Sequence, residues 1–367
     1  MGNKTPRVLH VLDHLTPASG VASVVMNCVT GITKIRQDLA IYGKCDPDMC
    51  RAVEICGGKV YKLPDVTTTF GKPFSSAFAK LLKEQQYSVI HGHLLNSAFM
   101  YLRIAKKLGI PHRIIHAHNP VSADSTAKKI RNDILALGLP FWANKYIAVS
   151  EATAINIFGK MIKTVPDISI IQNGIDSSRF RFDPDSRKEV RQELCLSDDV
   201  LCVGHIGRFA KQKNHSFLLD VFDKMRKKAN CVLILVGDGP LEDLIKEKAQ
   251  AMGMSERIKF LGKRNDTEHL YQSFDVFLLP SLFEGFGLVA VEAQCAGLGC
   301  LVSDCVPRIV ECSNNIHFLS LENAELWADT ALNMATMLRT DGSTAIKSAN
   351  LDISTMCDNV LKFYEQF

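Results

Sequence analysis

Two glutamates, Glu284 and Glu292, bracket a glycine-rich turn in the stretch FEGFGLVAVE at 283–292. Gly285 and Gly287 allow the backbone to approach a ligand closely and leave its amides bare. A helix starting near Gly287 would point its positive end the same way, a combination that suits a diphosphate. A carboxylate in such a turn can accept hydrogen bonds from the hydroxyls of a sugar or a ribose. Glu292 falls about two helical turns beyond Glu284, so the pair can grip different parts of one extended ligand. The same residues also suit a plainer arrangement, in which Glu284 caps the helix and Glu292 faces solvent. Residue types alone leave the two readings level.

A second loop, Gly207-Arg208-Phe209-Ala210-Lys211-Gln212-Lys213-Asn214-His215, joins a strand-like run to a helix-like one. Backbone amides at such a junction bind anions. Arg208 can fork two phosphate oxygens and Lys213 supplies a point charge. Position at a strand's carboxyl end favours this over an ordinary solvated basic loop. In the first half, Leu15 to Val21 offers Gly20 to a phosphate, but the loop is not GxGxxG and a plain strand–helix turn would look alike. His91-Gly92-His93 and His116-Ala117-His118-Asn119 each close a strand-like run. A histidine there can bind phosphate, polarise a hydroxyl or shuttle a proton. Singly, such histidines are more often structural. No acidic partner motif joins the two pairs, which argues against a metal.

The elements that must hold these loops alternate in the β-α-β sense twice over. Strands are expected at Val8–Leu12, Ala40–Tyr42, Val89–His91, Arg113–Ile115 and Tyr146–Val149, then at Val200–Val203, Cys231–Val236, Ile258–Leu261, Val276–Leu279 and Cys300–Val302. Helices such as Phe217–Lys228 and Leu241–Met252 lie between them. That order implies parallel sheets covered on both faces. The expected architecture is α/β: two doubly wound domains, 1–175 and 176–352, facing an interdomain cleft, with 353–367 an amphipathic helix that packs back on the first. Asn173-Gly174 marks the boundary, and Arg179 to Arg191 reads as linker plus a short helix. Ligands in open α/β sheets bind beyond the carboxyl ends of the strands, where all of these loops fall.

Bulk properties narrow the classes. With 367 residues, 47% hydrophobic and 22% charged, the chain can build two cores. No run of eighteen apolar residues appears, so a transmembrane helix is not expected. The N-terminus lacks a signal-peptide core, and Thr5-Pro6 spoils the myristoylation pattern that Met1-Gly2 suggests. Twelve cysteines occur without zinc spacing, several inside apolar runs, which fits a reducing cytoplasm better than a disulfide framework. The first half carries roughly twice as many basic as acidic residues, with clusters at Lys106-Lys107 and at Lys128-Lys129 with Arg131. Either cluster alone reads better as a solvated helix face than as a contact for anionic lipid or a phosphorylated acceptor. No nucleic-acid motif is present.

The combination of EGFG with its Glu-x7-Glu spacing, Pro280-Ser281, the GRF-xxx-KN loop, VGDGP at 236–240 and NGID at 173–176 resembles the retaining glycosyltransferases of family 4 over the whole chain and in the right order. GHIGRFAKQKNHSFLLDVF, HAHN and VEAQCAGLGCLVSDCVP are similar to the branch that builds bacterial exopolysaccharide and capsular polysaccharide. The resemblance implies the GT-B fold, a nucleotide-diphosphate sugar donor (UDP-sugar first, GDP second), a saccharide or lipid-linked saccharide acceptor, and a cytoplasmic location with peripheral contact to the inner membrane face. It implies no cofactor and no metal. Residue by residue, Arg208 and Lys213 would hold the diphosphate, and Glu284 the donor-sugar hydroxyls. Phe286, Gly287 and Leu288 would offer amides, and Glu292 would bind the ribose. His118 would lie near the transferred sugar, Gly20 by the diphosphate, and Arg264 in the loop Lys263-Arg264-Asn265 beside the base. The family's frequent Gly-Gly-x-Glu is replaced by Ser19-Gly20-Val21-Ala22, and its usual proline by Gly299. A nucleotide-sugar epimerase of related fold and a non-catalytic sugar-nucleotide binder are the rival readings. The first would make a new sugar nucleotide without acceptor; the second would bind without turnover.

Overall fold

The computed structural model describes residues 6–17, 19–66, 71–118, 138–159 and 167–367. Met1, Gly2 and Thr5, Ala18, Asn119 and the Lys128-Lys129-Arg131 cluster lie outside the described residues. The chain divides into two compact units, one of 1–173 with 353–367 and one of 174–352.

The first unit is built on a parallel sheet of seven strands: β1 (Val8–Leu12), β2 (Gln37–Ile41), β3 (Val60–Lys62), β4 (Val89–Gly92), β5 (His112–Ala117), β6 (Lys145–Ala148) and β7 (Ile168–Ile170). Their order is β3-β2-β1-β4-β5-β6-β7. The second unit has six parallel strands, β8 (Leu201–Ile206), β9 (Cys231–Val236), β10 (Ile258–Phe260), β11 (Val276–Leu279), β12 (Gly299–Ser303) and β13 (Ile316–Leu319), ordered β10-β9-β8-β11-β12-β13. In each sheet the order reverses once, between β1 and β4 and between β8 and β11. These are the switch points at which doubly wound sheets bind ligands.

The central strands are continuous apolar runs because helices cover both faces. β1, β9, β11 and β12 are buried along their whole length. The helix His215–Met225 buries Leu218, Leu219, Val221, Phe222 and Met225. The helix Ala324–Ala335 adds Trp327, Ala328 and Ala331 to the same core. In the first unit Phe74, Phe78, Tyr101 and Leu102 play that part. The last helix, Ile353–Tyr364, lies on the helix Gly20–Gly31, where the Cys357 thiol donates to the Asn27 carbonyl at 3.3 Å.

Several boundaries differ from those the sequence suggests. β2 starts at Gln37 rather than Ala40, because two buried polar residues, Gln37 and Asp38, open the strand. Burial alone would raise the pKa of Asp38, but Tyr87 at 2.7 Å and Arg7 at 2.7 Å hold the carboxyl below its usual range. β3, β7 and β13 were not expected. They are edge strands of three or four half-buried residues, too short for a continuous apolar run. The helices expected at Phe217–Lys228 and Leu241–Met252 run at His215–Met225 and Glu242–Ala251. The stretch Arg179 to Arg191, read as linker plus a short helix, holds the helix Pro184–Glu193, which runs two residues past Arg191, and the end of a one-turn helix at Ser177–Phe180. Asp183 caps the helix Pro184–Glu193 by accepting from Asp185 and Ser186 amides, with proline in the first turn. Arg191 is buried and donates to the carbonyls of Ser273, Ser197 and Val200.

All twelve cysteines are free thiols. Among the described residues no helix is long and apolar enough to cross a membrane. Lys106 is not a free surface charge. Its ammonium donates to the Phe141 carbonyl at 2.7 Å and sits 5.7 Å from the Trp142 ring centre.

Candidate active site

In the second unit the loops that follow β8, β9, β10 and β11 share the carboxyl edge of one sheet, so the fold brings their residues together. After β8 the chain makes one short 3-10 turn, Lys211–Lys213, and passes through Asn214 in the left-handed region (φ 53°) before the helix His215–Met225. The turn aims Lys213 across the switch point at the loop after β11. There its Nζ donates to Oε1 of Glu284 at 2.7 Å. The pair is mostly enclosed, with the lysine and glutamate side chains 14% and 8% exposed. The Ser281 hydroxyl also donates to Oε1 of Glu284 at 2.7 Å, and Gln212 Nε2 donates to Oε2 at 3.3 Å and to the Phe283 carbonyl at 3.0 Å. Ser303, at the end of β12, donates to the Ser281 carbonyl at 2.5 Å. Glu284 is thus a buried carboxylate with three side-chain donors, not a solvent-exposed cap. Its Lys213 partner has three N–H donors, of which Glu284 takes one.

Gly287 stands at φ 99° and begins the helix Leu288–Cys295 without a side-chain cap. That backbone favours glycine. Phe286 is buried, and Gly285 and Gly287 are enclosed beside it. Glu292 lies along the same helix. Tyr271 donates to its Oε2 from 2.9 Å and lies 3.1 Å from the Val289 carbonyl. Desolvation pushes the Glu292 pKa up from 4.5 to about 7, against the pull of Tyr271, Arg179 and Lys213. It is a carboxyl poised near neutrality rather than a solvated one.

The VGDGP loop closes the site from the β9 side. The Phe209 amide donates to the Asp238 carbonyl at 2.8 Å, and the Gly237 amide donates to the Gly262 carbonyl at 2.8 Å. At Gly237, φ is 139° and a Cβ would come within 2.2 Å of the Gly207 carbonyl oxygen. Close contact between loops, not a ligand, therefore explains that glycine. Arg208 is exposed, and no side chain pairs with it among the described residues. Arg264 is committed differently. Its guanidinium meets Asp266 at 2.6 Å and Glu193 at 3.1 Å, partners that raise its pKa.

In the first unit Gly20 opens the helix Gly20–Gly31, capped by Ser19 Oγ accepting from the Ala22 amide at 3.2 Å. A Cβ on Gly20 would meet nothing within 4 Å, so packing does not require glycine there. The two histidine pairs come together. His91, on β4, and His116, on β5, are 3.2 Å apart through Nε2 and Nδ1, and His93 and His118 are 2.9 Å apart through Nδ1 and Nε2. His10, on β1, joins them at 2.9 Å from His93. Two triads, His10-His91-His93 and His93-His116-His118, place ring nitrogens within 4.8 Å, spacing that could hold a metal ion. Hydrogen bonds between the rings already occupy most of those nitrogens.

Ser281 belongs to the Pro280-Ser281 motif, but the sequence does not assign it the support of Glu284. Gln212 and, through the Ser281 carbonyl, Ser303 also support Glu284, and Tyr271 supports Glu292, with no motif to mark them. Only the proximity of Gln212 to the charged residues in the chain could have pointed to it. His10 and Gln37 sit inside strands with nothing in their spacing to mark them.

The chain is similar to known proteins in sequence and in fold. Residues 186–325 match the family model Glycosyl transferases group 1, and residues 18–179 match Glycosyltransferase Family 4. The chain is 29% identical over 344 residues to EpsF of Bacillus subtilis strain 168, a protein classed as a glycosyltransferase, covering 91% of this chain and 89% of EpsF. It is 28% identical over 234 residues to an Escherichia coli protein named UDP-Gal:alpha-D-GlcNAc-diphosphoundecaprenol alpha-1,3-galactosyltransferase, covering 61% of this chain and 60% of that one. Among solved structures, HepE of Anabaena in complex with UDP and glucose superposes with a TM-score of 0.82 at 19% identity, covering 99% of this chain and 100% of HepE. With two parallel-sheet units built this way and two family models spanning most of its length, the chain belongs to the family 4 glycosyltransferases and has the GT-B fold.

Proposed function

We propose that this glycosyltransferase moves a sugar from a UDP-sugar to a hydroxyl of a lipid-linked saccharide, with retention of anomeric configuration and without a metal, in the assembly of a bacterial exopolysaccharide or capsule. The observation that carries the reading is the enclosed Lys213–Glu284 pair at the β8/β11 switch point, beside a glycine-started helix. Two N–H donors of Lys213 remain for phosphate oxygens, and Arg208 stands unpaired nearby in the chain to add a second cation. The amides of Phe286, Gly287 and Leu288 face the charge that develops on the leaving diphosphate. Glu284, held by Ser281 and Gln212, accepts from donor-sugar hydroxyls, and Glu292 accepts from the ribose. The base then borders the loop 263–265 through its backbone, since the Arg264 guanidinium is engaged elsewhere. In the first unit the same reading gives His118 a sugar hydroxyl and Gly20 a phosphate, the latter in accord with the open space at its Cα.

In the reaction the bond from the anomeric carbon to the diphosphate oxygen breaks, and a bond to the acceptor oxygen forms on the same face. The acceptor proton passes to the leaving phosphate, and UDP is released. The UDP and glucose of HepE and the lipid-diphosphate acceptor in the name of the Escherichia coli relative support the choice of substrates. The basic excess of the first half supports peripheral contact with an anionic membrane from the cytoplasm. The test is a panel of UDP-sugars offered with polyprenyl-diphosphate saccharides in the presence of EDTA, with the product's anomeric proton coupling read by NMR. An axial linkage from an axial donor is the expected result. An inverted linkage, or dependence on added divalent metal, would refute the corresponding part of the proposal. A new sugar nucleotide formed from donor alone would indicate an epimerase.

A further inference from the structure

The histidines of the first unit form a directed row across four adjacent strands. On β2, Gln37 Nε2 donates to the carbonyls of Cys28 at 2.9 Å and Ile32 at 3.1 Å, which uses both amide protons and turns Oε1 toward β1. That oxygen lies 3.0 Å from His10 Nε2. His10 Nδ1 lies 2.9 Å from His93 Nε2, and His93 Nδ1 lies 2.9 Å from His118 Nε2. All three rings are buried, and desolvation keeps them neutral, with His10 lowered to about 4, His118 to about 3 and His93 well below its usual value.

A neutral imidazole has one N–H donor and one bare acceptor nitrogen. The Gln37 oxygen only accepts, so the His10 proton must sit on Nε2 and its Nδ1 is bare. His93 must then donate from Nε2 and present a bare Nδ1, and His118 must do the same. The row ends at His118 Nδ1, a buried nitrogen with no hydrogen-bond partner among the described residues. Beside it runs a second row, Tyr364 hydroxyl to His91 Nδ1 at 2.6 Å and His91 Nε2 to His116 Nδ1 at 3.2 Å. A hydroxyl can donate or accept, so that row does not fix a direction. Only the first is anchored by a group with one possible role.

We propose that Gln37, His10 and His93 are positioning residues that hold His118 as a permanent hydrogen-bond acceptor, so that the first unit selects a ligand hydroxyl able to donate to His118 Nδ1. The identity of the ligand as a sugar rests on the function proposed above; the direction of the row does not. Fluorine in place of the selected hydroxyl can only accept, and it meets a lone pair. Buried, unmatched polar groups are what make such sites discriminating.

Long-range proton–nitrogen NMR on the full chain labelled with 15N-histidine reads the tautomers at neutral pH without a substitution. His10, His93 and His118 are each expected as the Nε2–H form. An Nδ1–H or mixed His118, or stoichiometric zinc retained on the row by the purified protein, overturns the proposal. His10→Asn keeps an amide oxygen where Nδ1 stood and is expected to retain the His118 tautomer, while His10→Phe is expected to release it into a mixture. A His118 signal unchanged in well-folded His10→Phe also overturns it. With UDP-sugars, deoxyfluoro substitution at one ring position is expected to lower kcat/KM by about tenfold or more in the wild type and His10→Asn, and by only about threefold in His10→Phe. Turnover with the wrong tautomer defeats this inference alone. The expected tautomers without any sugar transfer defeat the functional reading and the ligand half of this one, leaving the row's direction standing.

Discussion

At the carboxyl edge of the second sheet, Lys213 and Glu284 meet as an ion pair at 2.7 Å, supported by neutral donors. Across the first sheet, five histidines meet without a charged partner. The two regions handle buried polarity in opposite ways. An ion pair can exchange partners, because Lys213 has donors to spare and a diphosphate carries the charge to engage them. A neutral row has no charge to offer an anion. Its information is direction, passed from Gln37 to His118 one proton at a time. The difference suggests what each region is built to meet: a charged group at the ion pair, a donating hydroxyl at the end of the row.

Breaking the ion pair should give the largest effect. Glu284→Gln keeps the shape and loses the charge, and turnover is expected to fall by about 10²–10³, as steady-state kinetics would show. A rate within about threefold of wild type, an order-of-magnitude threshold set by a single neutral hydrogen bond, would remove Glu284 from the chemistry. Lys213→Ala should reduce turnover similarly and also lower the melting temperature, because it leaves a largely buried carboxylate without its cation.

Next comes Gly237→Ala, which places a methyl 2.2 Å from the Gly207 carbonyl oxygen. A stability loss of about 1–3 kcal/mol is expected from overpacking, measured by denaturant unfolding, with Lys213 displaced through the shared loop. Gly287→Ala meets a strained φ of 99° and, less severely than at Gly237, a Val306 methyl at 3.3 Å, and should cost about 1–2 kcal/mol. A Gly287→Ala variant as stable as wild type would mean that the turn relaxes easily.

Glu292 sharpens the comparison through pH. Its folded pKa of about 7 lies above the usual 4.5. A raised carboxyl contributes stability fully below the unfolded value, and that contribution is lost as pH rises through the folded one. Glu292→Gln should therefore gain in melting temperature over wild type as pH rises from 5 to 8, while its nucleotide affinity falls relative to wild type over the same range. A difference that does not change with pH would contradict the raised pKa. Tyr271→Phe is the smallest change. It removes a donor to the carboxylate, worth about 1 kcal/mol, and should move the Glu292 transition to higher pH.

Much of this was legible in the sequence, unevenly. The central strands announced themselves because each is an apolar run buried on both faces. The short edge strands β3, β7 and β13 did not, and β2 was hidden by Gln37 and Asp38, polar residues that find buried partners only after folding. Glu284, Glu292, Lys213 and the glycine turn could be picked out by type and by position after a strand. What they touch could not. Lys213 and Glu284 are far apart in the chain and meet through the sheet order, and Arg264 proved to be bound by Asp266 and Glu193. The two histidine pairs were visible, but their linkage through His10 and Gln37 depends on the pairing of β1 with β2 and β4.

The central claim is that Lys213 and its neighbours in the second unit hold a nucleoside diphosphate. Calorimetric titration of UDP, GDP and ADP into wild type and Lys213→Ala, without added metal, tests it most directly. Saturable binding that favours UDP is expected in the wild type, and in the variant it should be lost or weakened by about tenfold or more. No binding of any of the three, or binding that the variant leaves unchanged, would contradict it.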